Sequence, residues 1–149
     1  MNEIAARILF LAHLASTLFM VGLIWFVQVV HYPLFAHAGR AEYLAYQRRH
    51  MDLTTWVVGP PMLVEAATAV LLFWLRPAGI PAWQVWLGLS LVVVLWASTA
   101  FVQVPCHDSL LREYAPDVQR RLVSTNWMRT AAWSLRGLLV LAMLWKAMG

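Results

Sequence analysis

Residues 21–33 read VGLIWFVQVVHYP, and residues 92–107 read VVVLWASTAFVQVPCH. Each is the end of a long apolar run that closes on the phrase Val-Gln-Val, with a histidine two or three residues later. The chain holds four helix-length apolar runs, and a soluble core rarely fills four segments of this kind. The sequence therefore predicts an integral membrane protein.

The composition agrees with this interpretation. Of the 149 residues, 62% are hydrophobic and 12% are charged, and nine are Trp, whose ring favours the membrane–water interface. The formal net charge of +4 comes from Arg residues beside the apolar runs, where they set topology and contact anionic lipid. It does not indicate a nucleic-acid partner. Cys106 is the single cysteine, which excludes an intrachain disulfide.

The predicted fold is all-α, a single transmembrane domain that forms a four-helix bundle. A helix needs about 20 residues to cross the hydrocarbon. The predicted spans are about Ile4–Val30, Trp56–Leu75, Ile80–Val104 and Thr130–Met148. The tight turn Arg76–Pro81 joins the second span to the third.

The two longer connections, Gly39–Asp52 and Asp108–Val123, are charged but carry periodic apolar residues. We expect two helical elbows, which either lie at the interface or extend the next span. Lys and Arg concentrate in and beside them, so the positive-inside rule predicts a bacterial inner-membrane protein with cytoplasmic elbows. The Arg residues concerned are Arg40, Arg48, Arg49, Arg112, Arg120, Arg121 and Arg129.

The two halves of the chain resemble each other. Val27-Gln28-Val29 matches Val102-Gln103-Val104, and Gln47-Arg48-Arg49 matches Gln119-Arg120-Arg121, at offsets of 75 and 72 residues. The matches favour a parallel two-span repeat with a pseudo-twofold axis along the membrane normal. Chance similarity between Val-rich spans is the alternative.

Polar side chains kept inside spans are costly in lipid and often mark function. Glu65 and Arg136 each lie nine residues beyond a Trp, which places them roughly 13 Å deeper than the elbow side at the helical rise. We expect one pocket that is open toward the elbows and floored by this pair. Its predicted members are Gln28, His31, Glu65, Gln103, His107, Asn126, Arg129 and Arg136.

Two interpretations of Glu65 stay open: an ion pair that neutralises Arg136, or a ligand or proton acceptor in an active pocket. His31 and His107 either cap their spans or bind a group. With Glu65 they would form a two-His-one-carboxylate set for iron or another transition metal such as copper, and alone they could bind haem axially. His50 either completes such a site or belongs to a solvated basic elbow, and the elbow is the favoured interpretation. His13 is assigned to a separate position far along the first span.

The phrase before Pro105 and the fourth-span pattern Asn126-Trp127-Met128-Arg129, with Trp133 and Arg136 after it, resemble the anthrone oxygenase-like group of small membrane proteins. The resemblance covers the four-span layout, but its motifs lie in spans three and four. It implies an oxygen-using reaction on a flat polycyclic phenol. The residues it carries over are His107, Asn126, Trp127 and Arg129.

The leading functional prediction is a membrane-embedded redox or oxygenase-like protein, an oxidoreductase, with a small aromatic or quinone-like ligand. Arg129 and Arg136 would stabilise an oxyanion such as a phenolate or semiquinone. The predicted catalytic residues are Glu65, Asn126, Arg129 and Arg136; the ligand-binding residues are Gln28, Gln103, Trp127 and Trp133; and the metal ligands are His31, His107 and Glu65.

Three alternatives come from other classes of protein. They are a haem-binding electron carrier, a cofactor-free accessory or scaffold subunit of a larger membrane complex, and a small transporter that works as a dimer. The lipid bilayer is the expected environment in every case, and a homo-oligomer or a larger complex is an expected assembly.

Overall fold

The computed structural model describes residues 3–37 and 42–148. Its four long helices are α1 Glu3–Leu34, α2 Tyr43–Leu75, α3 Ala82–Leu110 and α4 Pro116–Met148. Each is long and apolar enough to cross a membrane, and the described residues contain no strand. The predicted all-α four-helix bundle is confirmed.

The bundle has an apolar outer surface, and its interior holds polar side chains among apolar ones. Each helix packs against two others, and α1 and α2 share the most extensive contact. Large apolar side chains such as Trp56, Trp74, Phe101 and Trp145 are exposed on its surface. Lipid tails are as apolar as these side chains, so polar contacts and close packing have to hold membrane helices together.

Two helices are longer than the predicted spans. α2 begins at Tyr43 rather than near Trp56, and α4 begins at Pro116 rather than near Thr130. The described parts of the two elbows from Tyr43 and from Pro116 onward are therefore the N-terminal ends of α2 and α4. This is one of the two forms that the sequence predicted.

These first turns pack inward because each carries a buried glutamine. Gln47 on α2 contacts His107 of α3, and Gln119 on α4 donates to the backbone carbonyl of Tyr32 in α1. Arg48 and Arg49 lower the local hydropathy, so the sequence alone does not indicate that this helix face is buried. Arg40, part of the predicted first elbow, lies outside the described residues.

α1 and α3 each contain a π-helical turn, at Val27–His31 and at Thr99–Gln103. The turns begin 72 residues apart, and each is followed by a proline, Pro33 or Pro105, that lacks a backbone N–H. A π turn shifts the helical register by one residue, and such turns often occur at functional sites. The pair favours the predicted two-span repeat and aligns His31, rather than Gln28, with Gln103.

α2 continues through Pro60 and Pro61 without a break. A residue before proline is pushed out of the helical region by its own Cβ, and Gly59 has none. The two prolines still remove the usual donors to the carbonyls of Trp56 and Val57.

The turn between α2 and α3 requires glycine at position 79. Gly79 has a φ of 87°, and a Cβ there would lie 2.5 Å from the carbonyl oxygen of Lys146. Arg76 closes the turn by donating to the carbonyls of Phe73 and Ile80.

Replacing Gly79 should therefore destabilise the fold. Gly79→Ala adds the left-handed backbone cost of about 1–2 kcal/mol and a backbone clash, so we expect the Tm in detergent to fall by roughly 2–8 °C. Gly22→Ala is the control, because a Cβ at Gly22 meets nothing within 4 Å. An unchanged Tm in Gly79→Ala would contradict this account of the turn.

Candidate functional site

The buried polar residues form two clusters at different depths rather than one pocket. The histidine cluster consists of His31, Tyr32, Gln47, His50 and His107. The ion-pair cluster consists of His13, Thr17, Glu65, Thr68, Trp133 and Arg136. His50 and Glu65 are 15 residues apart on α2, or about 22 Å along its axis. The prediction that Glu65 and Arg136 floor the pocket of the histidines is wrong.

His31 and His50 form a directly hydrogen-bonded pair. His31 Nε2 lies 2.9 Å from His50 Nδ1, and the Thr54 hydroxyl lies 3.1 Å from the same Nδ1. The edge of Phe35 supports both rings, with centroids 5.0 and 4.7 Å away. The π turn that ends at His31 directs this ring toward α2.

His107 is held through both ring nitrogens. The Gln47 amide nitrogen lies 2.9 Å from Nδ1, and the Tyr32 hydroxyl lies 3.0 Å from Nε2. Gln47 donates to Nδ1 in this orientation, so His107 carries its proton on Nε2 and donates it to the Tyr32 oxygen. Arg129 also interacts electrostatically with Tyr32. The Tyr32 hydroxyl proton is then available to a further acceptor.

The predicted residues Gln28, Asn126 and Arg129 do meet. Asn126 donates to the Gln28 side-chain oxygen at 2.8 Å and accepts from Arg129 Nη1 at 3.1 Å. The Gln28 amide donates to the Val123 carbonyl at 3.2 Å. This chain fixes the guanidinium of Arg129 from one side. Gln103 joins α4 separately, by donating to the Thr125 hydroxyl at 3.2 Å.

A cavity of about 310 Å³ lies against these groups, between α1, α2 and α3. Its polar end is formed by Tyr32, His50, Thr54, Gln103, His107 and Arg129. The remaining wall is largely apolar and includes Met20, Ile24, Val58 and Met62. The exposed side chains at its rim, Leu63 and Thr55 on α2 with Trp96 and Val104 on α3, open it sideways toward the lipid.

Three buried residues of the polar end each have an atom without a hydrogen-bond partner in the described structure: His50 Nε2, Gln103 Oε1 and Arg129 Nε. Leaving a buried polar atom unpaired costs about 1–3 kcal/mol. Because buried polar atoms are usually paired, these three residues at the polar end of one cavity are the candidates to hydrogen-bond a bound molecule. The set comprises two groups able to donate and one acceptor.

The deeper cluster is built on an ion pair. Arg136 Nε donates to Glu65 Oε1 at 2.8 Å, and both side chains are almost fully buried. Thr17 donates to the same oxygen at 2.9 Å, Trp133 donates to Oε2 at 3.1 Å, and Arg136 also donates to the Gly88 carbonyl. The predicted ion pair is confirmed, and it joins all four helices.

His13 belongs to this cluster. Its Nδ1 lies 2.8 Å from the Thr68 hydroxyl, and its Nε2 lies 3.5 Å from Arg136 Nη2. His13 is thus a hydrogen-bonded interior histidine, well separated from His31 as predicted.

Trp133 links the two clusters. Its indole N–H bonds Glu65, and the Arg129 guanidinium lies 5.0 Å from the centroid of its ring. The ion pair thus fixes the ring on which Arg129 rests. Glu65 acts on the cavity through Trp133 and has no contact with the space itself.

The structure corrects the predicted metal set. Glu65 is too far from the histidines to complete it, and the described residues contain no group of three or more His, Cys, Asp or Glu side chains that could hold a metal ion. Axial haem ligation by His107 would break its hydrogen bond to Tyr32 or to Gln47, because both of its ring nitrogens are already engaged. We therefore do not propose these sites.

Two further assignments change. His50 is buried between His31 and His107, with ring centroids 4.8 and 5.3 Å away, and is not a solvated elbow residue. Trp127 is about half exposed and packs edge-on against Trp25, outside the cavity.

The sequence placed Thr54 on the same helical face as His50, but it did not predict Tyr32 or Gln47 as site residues. Gln47 lies three residues before His50, a helical spacing that could have identified it. Tyr32 directly follows His31 and gave no periodic signal of its own.

Comparison of the chain with protein-family models, with curated proteins and with solved structures found no match. The resemblance to the anthrone oxygenase-like group stays a prediction, and the function has to be argued from the geometry of the site.

Removing one partner of the buried ion pair should destabilise the bundle strongly. Glu65→Gln leaves Arg136 uncompensated, which costs about 3–5 kcal/mol and should lower the Tm in detergent by at least about 6 °C. The double variant Glu65→Leu, Arg136→Met should recover most of this loss, because it leaves no unpaired charge.

Glu3→Gln is the matched control, since it breaks the exposed pair between Glu3 and Arg7 and should leave the Tm unchanged. A Tm for Glu65→Gln equal to that of the wild type would show that the pair does not hold the bundle.

Proposed function

We propose that the chain binds a small amphipathic aromatic molecule of the phenol or quinone class, which enters from the bilayer. The observation that supports this most is that three residues with an unpaired buried polar atom line one end of a largely apolar cavity. A volume of about 310 Å³ accommodates a head of one or two rings, with any tail lying in the lateral opening.

The unpaired atoms favour a ligand that carries both an acceptor oxygen and a hydroxyl. A phenolic or carbonyl oxygen would accept hydrogen bonds from Arg129 Nε and His50 Nε2. A hydroxyl of the ligand would donate to Gln103 Oε1. An oxidised quinone and a carboxylate only accept, so the phenol or hydroquinone form satisfies the site most fully.

The polar end also has the chemistry that such a ligand needs for proton exchange. Arg129 supplies a fixed positive charge for a phenolate or semiquinone oxygen in a dry site. His50, His107 and the Tyr32 hydroxyl line the same end and bear exchangeable protons. We propose on this basis that the bound molecule is redox-active, in line with the oxidoreductase class predicted from the sequence.

The inner-membrane location, the cytoplasmic side of the extended helix ends and assembly with other subunits stay predictions. The apolar outer surface fits a lipid bilayer, which is the environment that the proposed route of entry requires.

Binding should depend on Arg129. The probe is 2-methyl-1,4-naphthoquinone, dialysed to equilibrium against protein in nanodiscs, with protein-free nanodiscs as the background. Arg129→Gln removes a charge-assisted hydrogen bond of about 1.5–3 kcal/mol, so its Kd should rise at least tenfold.

Arg121→Gln, the same substitution on an exposed part of α4, should leave the Kd within about twofold of the wild-type value. The proposal fails if the wild-type protein takes up no more probe than empty nanodiscs, or if both Arg variants bind equally.

A further inference from the structure

We propose that His31 and His50 form a proton relay between the membrane–water interface and the cavity. The inference rests on the proposed function only for the final acceptor of the proton, a ligand oxygen. The relay itself is a property of the two imidazoles and their surroundings.

The two imidazole rings lie at different depths in the cluster. His31 ends the π turn near the end of α1, is only partly buried and does not line the cavity. His50 is buried and does line it. The pair therefore connects the partly exposed side of the cluster with the interior of the cavity.

The ring nitrogens of His31 and His50 are arranged in a line of possible proton transfer. A single hydrogen lies between His31 Nε2 and His50 Nδ1, which are 2.9 Å apart. The opposite nitrogen, His50 Nε2, is buried without a partner in the described structure. When Nδ1 accepts the bond, the proton of a neutral His50 resides on Nε2, the ring nitrogen that does not face His31.

The transfer balances without any redox partner. His50 Nε2 releases its proton to an anionic ligand oxygen, such as a phenolate, as His50 Nδ1 takes the proton of His31 Nε2. His31 Nδ1 takes one proton from a hydronium ion, which leaves as water. Both imidazoles are neutral before and after the step and have only changed tautomer. The net result is one proton moved from the interface to the ligand.

The groups around the pair hold it without trapping the proton. His107 faces His50 with ring centroids 5.3 Å apart and is itself fixed by Gln47 and Tyr32. Arg129 is the cation at the same end of the cavity. The buried carboxylate Glu65 is about 22 Å away along α2 and already paired.

The relay can be tested without the proposed ligand, because water in the cavity can accept the His50 Nε2 proton in place of the ligand oxygen. In nanodiscs, with ¹⁵N-labelled histidine, NMR measures the exchange of the His50 ring proton with water. We expect His31→Asn to slow this exchange at least tenfold. His37→Asn changes an exposed histidine outside the cluster and should have no effect. Equal exchange rates in His31→Asn and the wild type would overturn the relay.

A second measurement distinguishes loss of the relay from misfolding of the variant. His31→Ala, checked for a wild-type Tm, should regain fast exchange when imidazole is added to the buffer, and imidazole should leave the wild-type rate unchanged. Failure of this rescue in the folded variant would also overturn the relay.

Binding of 2-methyl-1,4-naphthoquinone separates the two proposals. His31→Asn should leave its Kd within about twofold, because His31 does not line the cavity. Slowed exchange with no binding by the wild type would refute the proposed function and keep the relay. Normal binding with unchanged exchange would refute the relay alone.

Discussion

The pair of Glu65 and Arg136 is the constraint on which the interior of this bundle depends. Two opposite charges lie almost fully buried on α2 and α4, where lipid offers no solvation to either of them. Thr17 on α1 and the Gly88 carbonyl on α3 complete their hydrogen bonds. Since apolar burial does not drive helices together in a membrane, a polar centre shared by all four helices is what fixes their register.

This centre also prepares the cavity above it. Glu65 orients the indole of Trp133, and the guanidinium of Arg129 lies over that ring. Asn126 accepts a hydrogen bond from the same guanidinium. The guanidinium is therefore placed before any ligand arrives, which removes an ordering cost from binding. The ion-pair cluster has a structural role, and the histidine cluster with its cavity carries the proposed chemistry.

The sequence predicted the class of fold and most of the interior residues, because polar groups in apolar spans stand out and have few stable places other than the bundle axis. It paired Glu65 correctly with Arg136. The sequence wrongly placed Glu65 and Arg136 in one pocket with the histidines. Residue spacing gives the depth of a side chain along its helix, but it does not give which helices are in contact. The π turns were also invisible to it, and they rotate His31 toward His50. The Arg pair beside His50 made that residue look solvated.

The central claim is that the cavity is the binding site, and filling it tests this most directly. Val58 lines the cavity, and its neighbour Val57 faces outward and does not. The Kd of 2-methyl-1,4-naphthoquinone would be measured in nanodiscs for Val58→Phe and Val57→Phe, each with its Tm. The account predicts at least a tenfold weaker Kd for Val58→Phe alone, at a Tm close to that of the wild type. Equal affinity in both folded variants would contradict it.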